Sequence, residues 1–173
     1  MLTIREILDL IGIIRRFYSW IENERIQNPI AGRIQFPKTP PALSESLAIH
    51  LLEERRIIEN VAFTDIQQGG RIADITARLG NDLKRIEVKA STRGFQYFSE
   101  SDITAHYLIW IDLFNTLTND FYTVDIFVLP NPQDYFNRPC KIKLINFLQI
   151  TGDNTIRYEN FNLNEFLTNQ NFQ

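Results

Sequence analysis

Two alternating segments, Ala73-Asp74-Ile75-Thr76-Ala77-Arg78-Leu79 and Ile86-Glu87-Val88-Lys89, restrict this chain more than any other part of it. Apolar residues recur at every second position in each, the period of a β-strand with one buried face. Between them lies Gly80-Asn81, a glycine-first pair suited to a two-residue II′ turn. With that pair as the loop, Asp74 falls directly opposite Glu87, and Cβ atoms so placed are about 4.5–5.5 Å apart. With the turn at Asn81-Asp82 instead, Asp74 opposes Lys89 as a cross-strand ion pair. Both registers keep Asp74, Glu87 and Lys89 on one face, because they differ by an even step and side chains alternate with period two. Ala73, Ile75, Ala77, Leu79, Ile86 and Val88 then form the core-facing side. Two acids held together on a sheet repel unless a cation joins them, and a divalent metal is the obvious one. The plain alternative is a solvated ion-pair network.

Upstream, Pro40-Pro41-Ala42-Leu43-Ser44-Glu45 reads as the approach to a helix over 45–59, with Ser44 as N-cap and Leu43 and Ala48 as a hydrophobic staple. Ala48, Ile49 and Leu52 follow Glu45 at helical spacing, so Glu45 sits on or beside the apolar stripe. An acid in a first helical turn complements the helix dipole without further purpose. On an inward face it needs a partner, and a metal site under the helix start supplies one.

With Asp74 as first acid, Glu87-Val88-Lys89 as second acid and lysine, and Glu45 as the acid of the preceding helix, the chain resembles the PD-(D/E)XK nuclease superfamily. Within it, small type II restriction-endonuclease-like proteins are the nearest pattern. The stretch 91–102 and the apolar run Tyr107–Leu113 fit the same resemblance, which covers roughly 40–130. Ala73 stands where the motif names a proline.

The resemblance implies a single α/β domain over 1–173, a central mixed β-sheet flanked by helices. It implies Mg²⁺-dependent hydrolysis of DNA phosphodiesters, with Mg²⁺ held by Asp74, Glu87 and the Val88 carbonyl. Glu45 would reach the metal through water or hold a second ion. Lys89 would orient or deprotonate the attacking water, or stabilise charge on the phosphate. Thr92, Arg93 and Gln96 follow the active strand with side chains suited to phosphates and base edges, or they form an ordinary polar loop. Double-stranded DNA is the expected partner, and cutting both strands favours a homodimer. No organic cofactor is expected. Junction resolution, repair and mobile-element cleavage use the same core as restriction, and a non-catalytic binding module remains the alternative outside enzymes.

Composition bounds these readings. The chain has 173 residues, 44% hydrophobic and 12% aromatic, enough for one domain with a real core. One cysteine, Cys140, excludes an intramolecular disulfide and fits a reducing compartment. His50 and His106 are far apart and form no zinc motif. No apolar run reaches the roughly 18 residues of a membrane span. Arg5, Glu6 and Asp9 interrupt the first apolar stretch, which therefore reads as an amphipathic helix over 2–27 and not a signal peptide. A cytoplasmic location follows as the expectation. The formal net charge of −3 gives nucleic-acid binding no support, but local density matters more than the sum. Basic pairs and clusters occur at Arg15-Arg16, Arg55-Arg56, Lys84-Arg85, Lys89 with Arg93, and Arg138 with Lys141 and Lys143.

The remaining pattern predicts strands over 61–67, 107–111 (buried on both faces) and 121–129. It also predicts a turn at Gly69-Gly70, a capped short helix from Ser99, and a polar turn over 115–120. Residues 141–150 suit either strand or helix, and 163–167 a short helix.

Overall fold

The first apolar stripe forms α1 (Ile4–Gln27), opened by a capping box in which Thr3 and Glu6 bond each other's backbone. Its inward face carries Ile4, Ile7, Leu8, Ile11, Ile14, Tyr18 and Ile21. Phe17 and Trp20 do not continue that stripe: they are exposed and stack on each other at 5.6 Å. The computed structural model describes residues 1–28, 35–36, 38–70, 72–119 and 122–165.

The second helix, α2 (Pro41–Glu53), begins earlier and ends sooner than its sequence suggests. Pro41 takes the first helical position, where its missing N–H costs nothing. Ser44 is therefore inside the helix, its hydroxyl donating back to the Pro41 carbonyl, and Pro40 is the cap residue. Left-handed backbone at Arg55 and Ile58 stops the helix before residue 59.

The strands are β1 (Thr64–Gln68), β2 (Ile75–Leu79), β3 (Asp82–Ser91), β4 (Phe95–Phe98), β5 (Tyr107–Asp112), β6 (Thr123–Pro130), β7 (Cys140–Lys143) and β8 (Ile156–Asn162). Short helices α3 (Glu100–Ile103), α4 (Phe114–Thr118) and α5 (Leu144–Thr151) interleave with them. Six strands form a mixed sheet in the order β1-β2-β3-β5-β6-β8, with β3 and β5 parallel and the other neighbours antiparallel. β4 and β7 pair separately as a two-stranded antiparallel ribbon. This is a single α/β domain with a central mixed sheet flanked by helices.

Strand alternation divides the sheet between two cores. On one face Ile75, Ala77, Ile86, Val88, Ile109, Ile111, Val124, Ile126 and Val128 pack with α1 and α2. On the other, Leu108, Trp110, Phe127 and Leu129 meet Phe98, Phe136, Ile142 and Phe147 from the ribbon side. Phe98 stands edge-on to Trp110, Phe136 and Phe147 at 5.3–5.9 Å. Each such aliphatic or Phe side chain contributes roughly 1.5–3 kcal/mol through burial. β5 feeds both cores, which is why its sequence is apolar without alternation.

Three local expectations are revised. Residues 115–120 do not make a simple turn, because Thr116 and Leu117 are buried and the segment folds into α4, packed on α1. The ambiguous stretch after Cys140 is both things in succession, strand β7 and then helix α5. The polar-loop alternative for Thr92, Arg93 and Gln96 does not hold at Gln96, which lies in strand β4. Of the helix expected over 163–167, Asn164 and Glu165 are helical, and 166–167 lie outside the described residues.

Candidate active site

The hairpin adopts the register in which Gly80-Asn81 is the loop: Ile75 pairs Ile86, and Leu79 pairs Asp82. Gly80 has φ 62°, the value a glycine-first turn demands. Asp74 lies one residue before β2 and continues that register, so its side chain reaches β3 beside Glu87. There its Oδ2 accepts the Val88 N–H at 2.8 Å, and it also shares a side-chain hydrogen bond with Glu87. A close backbone approach sets up this position. The Gly69 N–H donates to the Asp74 carbonyl at 2.9 Å, and a Cβ at residue 69 would lie 2.3 Å from the Ala73 oxygen. Only glycine permits that loop, so Gly69 fixes where Asp74 stands.

Glu87 is 6% exposed. Burial foremost, then the charges of Asp74 and Asp102 and the hydrogen bond to Asp74, push its carboxyl up to about 8; Lys89 opposes this without prevailing. At neutral pH Glu87 thus keeps its proton. For Lys89, burial pulls the pKa down, but the hydrogen bond and charge of Asp102, with Asp74 and Glu87, outweigh it and leave the ammonium more basic than usual. Lys89 is therefore a cation at neutral pH, suited to holding negative charge or orienting a water. It is not suited to taking a proton.

Asp102 belongs to this cluster, and sequence reasoning read it only as part of a helix cap. Its Oδ2 accepts the Ser99 N–H at 2.6 Å and the Ser99 hydroxyl at 2.8 Å, closing the capping box of α3. Its Oδ1 lies 2.8 Å from Lys89 Nζ, and the residue is 1% exposed. The Ser99-x-x-Asp102 spacing signals the cap. Nothing local signals the lysine, which arrives only because α3 folds over β3.

A cleft of about 760 Å³ opens over Asp74 and Lys89. Arg25, Lys38 and Arg93 join Lys89 on its walls, against the acids Glu45 and Asp74. The guanidinium carbons of Arg25 and Arg93 lie 4.2 and 4.0 Å from the centre of the Phe36 ring, which itself stacks on Tyr18. Thr92 and Gln96 also line the cleft, each already engaged: the Thr92 carbonyl accepts from the Tyr18 hydroxyl, and the Gln96 amide donates to the Ala90 carbonyl. Thr92, Arg93 and Gln96 thus stand at the site, with Arg93 the charged one.

Glu45 is half-buried and lines the cleft with Asp74, but its carboxylate accepts a 2.7 Å bond from the Gln68 amide. Among the described residues no group of three or more His, Cys, Asp or Glu is gathered as a metal cage. The paired acids are Asp74 and Glu87. Their hard oxygens suit Mg²⁺, which commonly takes one or two carboxylates and keeps several waters. The charges of Asp74 and Asp102 beside Glu87 would welcome a cation there. If a divalent cation binds here, Glu45→Gln is expected to leave the melting temperature within about 1 °C and to weaken Mg²⁺ affinity by roughly 10–100-fold, the cost of losing an outer partner of such a site. Unchanged Mg²⁺ affinity in a calorimetric titration would reduce Glu45 to a helix-start charge.

The histidines serve the fold: His50 Nε2 meets the Leu2 carbonyl at 2.8 Å, and His106 Nδ1 accepts the Arg85 N–H at 3.0 Å. Cys140 is half-buried, and burial raises its thiol pKa. No helix among the described residues is long and apolar enough to cross a membrane. No protein-family model matches the chain, and no curated protein matches it significantly.

Proposed function

We propose that this protein is a Mg²⁺-dependent endodeoxyribonuclease that hydrolyses phosphodiester bonds in double-stranded DNA, in the manner of type II restriction enzymes. The observation that carries this reading is Asp74 and the half-buried, Asp102-held Lys89 lining a cleft with three further cations, with Glu87 buried directly behind them on the same strand face.

When bound, Mg²⁺ supplies Lewis acidity toward the phosphate and a more acidic water. Asp74 and Glu87 would hold it, with the Val88 carbonyl as a further oxygen. Asp74 is fixed by the Val88 amide, and Glu87 by its place in β3. Lys89 remains protonated and faces the developing negative charge of the phosphate, where a fixed cation in a partly dry site acts strongly. Arg25, Lys38 and Arg93 neutralise flanking phosphates and set the register of the strand. Cutting both strands of a duplex by this route calls for two clefts, hence a homodimer.

Incubation of wild-type protein with unmethylated phage DNA and Mg²⁺ is expected to give discrete fragments with 5′-phosphate and 3′-hydroxyl ends, and none in EDTA. Intact DNA of every form, with Mg²⁺ or Mn²⁺, would leave the ion-pair reading in its place.

A further inference from the structure

The β4–β7 ribbon leaves the active strand directly: five residues after Lys89 the chain turns at Gly94 (φ 64°) and enters β4. The Gly94 carbonyl accepts the Leu144 N–H at 2.7 Å, which ties the far end of β7 to the same corner. Alternation sorts the ribbon into two faces. Phe98 and Ile142 are buried in the aromatic core. Phe95, Tyr97, Lys141 and Lys143 point outward and are exposed, Phe95 at 42% and Tyr97 at 59%. Phe95 lies opposite Lys143, Tyr97 lies opposite Lys141, and the Lys141 ammonium sits 4.6 Å from the centre of the Phe95 ring.

Two exposed aromatics on one short face leave apolar surface in water at a cost, and packing within the chain does not recover it. Neither strand of the ribbon contains an acid, in a chain whose net charge is −3. Neither lysine has an ion pair among the described residues. The complementary partner is a polyanion that also offers flat apolar faces. Nucleic acid with unstacked bases is such a partner, since aromatic rings stack on any base while lysines meet the phosphates. The spacing agrees, because residues i and i+2 of a strand are about 6.8 Å apart, twice the roughly 3.4 Å interval of stacked bases. A paired duplex hides its base faces and would meet only the lysines.

We propose that the outward face of the β4–β7 ribbon binds a single-stranded stretch of DNA beside the cleavage point, with Phe95 and Tyr97 stacking on bases and Lys141 and Lys143 on the backbone. Phe95 also lines the cleft that holds Lys89, which sets one end of the ribbon's outward face at its rim. The inference rests on the nuclease reading and adds to it a site for a strand that is unpaired beside the cleavage point, as at a tail, a gap or a duplex opened on binding.

Fluorescence anisotropy in metal-free buffer tests it, with labelled oligothymidylate, a blunt duplex, and the same duplex carrying a single-stranded tail. Oligothymidylate and the tailed duplex are expected to bind more tightly than the blunt one. Phe95→Ala/Tyr97→Ala should weaken oligothymidylate binding by about tenfold or more, while Phe95→Trp/Tyr97→Trp keeps it. Lys141→Gln/Lys143→Gln should lower the slope of log affinity against log salt by about 1.4, two phosphates' worth. Wild-type affinity in both sets of variants would overturn the proposal. So would equal binding of the blunt duplex, or capture of anionic phospholipid vesicles in place of oligonucleotide. Cleavage of plasmid with Mg²⁺ is followed separately. Ribbon-dependent binding without any cleavage removes the nuclease reading and keeps the ribbon. Cleavage without ribbon-dependent binding does the reverse.

Discussion

Replacing Glu87 with Gln is expected to abolish Mg²⁺-dependent cleavage, by on the order of 10³-fold or more, while making the metal-free protein more stable in alkaline buffer. The two effects share one cause. Folding raises the Glu87 carboxyl from its ordinary value to about 8, because burial and the neighbouring Asp74 and Asp102 disfavour its charge. A group raised in this way gives its full stabilisation below its unfolded pKa and loses it as pH climbs toward the folded value. Metal-free wild type should therefore lose stability steadily between about pH 4.5 and pH 8, by on the order of a few kcal/mol at most. Glu87→Gln, uncharged and nearly isosteric, should show a flatter curve and the higher melting temperature at pH 9. Mg²⁺ should restore wild type at that pH and leave the variant unmoved. Melting curves from pH 5 to pH 9, with and without Mg²⁺, measure all of this. A wild type that instead gains stability toward pH 9 without metal would show Glu87 to be an ordinary ion-pair carboxylate. Asp74→Ala should lose cleavage to a similar degree.

Lys89→Ala should lower cleavage by roughly 10²–10³-fold and, unlike the acid variants, destabilise the metal-free protein. Asp102 is almost wholly buried, and Lys89 lies 2.8 Å from its Oδ1. Lys89 is a quarter exposed and Ser99 still donates to Asp102, so removing the lysine leaves the buried carboxylate partly answered and costs about 1–3 kcal/mol. The companion variant Asp102→Asn keeps the lysine but loosens its position, with an expected loss of about 10–100-fold in activity. A purely structural role for Asp102 would not change how activity depends on pH. Its role as the anion that holds Lys89 does: without it the lysine pKa falls, so the alkaline limb of the pH–rate profile moves to lower pH. Asp102→Glu, which restores the charge, should move that limb back. An alkaline limb that stays put in Asp102→Asn would confine Asp102 to capping α3.

Much of the site's scaffold was legible because it is local. Alternating apolar residues on either side of Gly80-Asn81 specify a hairpin, and the glycine-first turn selects the register that brings Asp74 beside Glu87. Period two then places Lys89 on the same face, with Ile75, Ile86 and Val88 on the other. The unbroken run from Tyr107 likewise announced a strand covered on both sides, since only burial on both faces favours apolar residues at every position. The extent of α2 was misjudged because Ser44 is a good cap by type, while the preceding Pro41 already occupies a first-turn position.

What the sequence by itself determined, then, is the pairing of two strands and the acids and lysine that share their face, because neighbours in a hairpin are neighbours in the chain. What only the tertiary structure decided is which groups that face would meet. Asp102 reaches Lys89 through the fold of α3 over β3, across a parallel crossover that no spacing rule encodes. Glu45 lies along the cleft as its helix suggested, yet Gln68 of the edge strand claims its carboxylate. The ribbon's aromatic and basic face exists only because residues 95–98 and 140–143, some forty positions apart, become a pair of strands. Local periodicity orients each strand's side chains. Long-range packing, whose cost and reward lie in burying the two cores, chooses their partners.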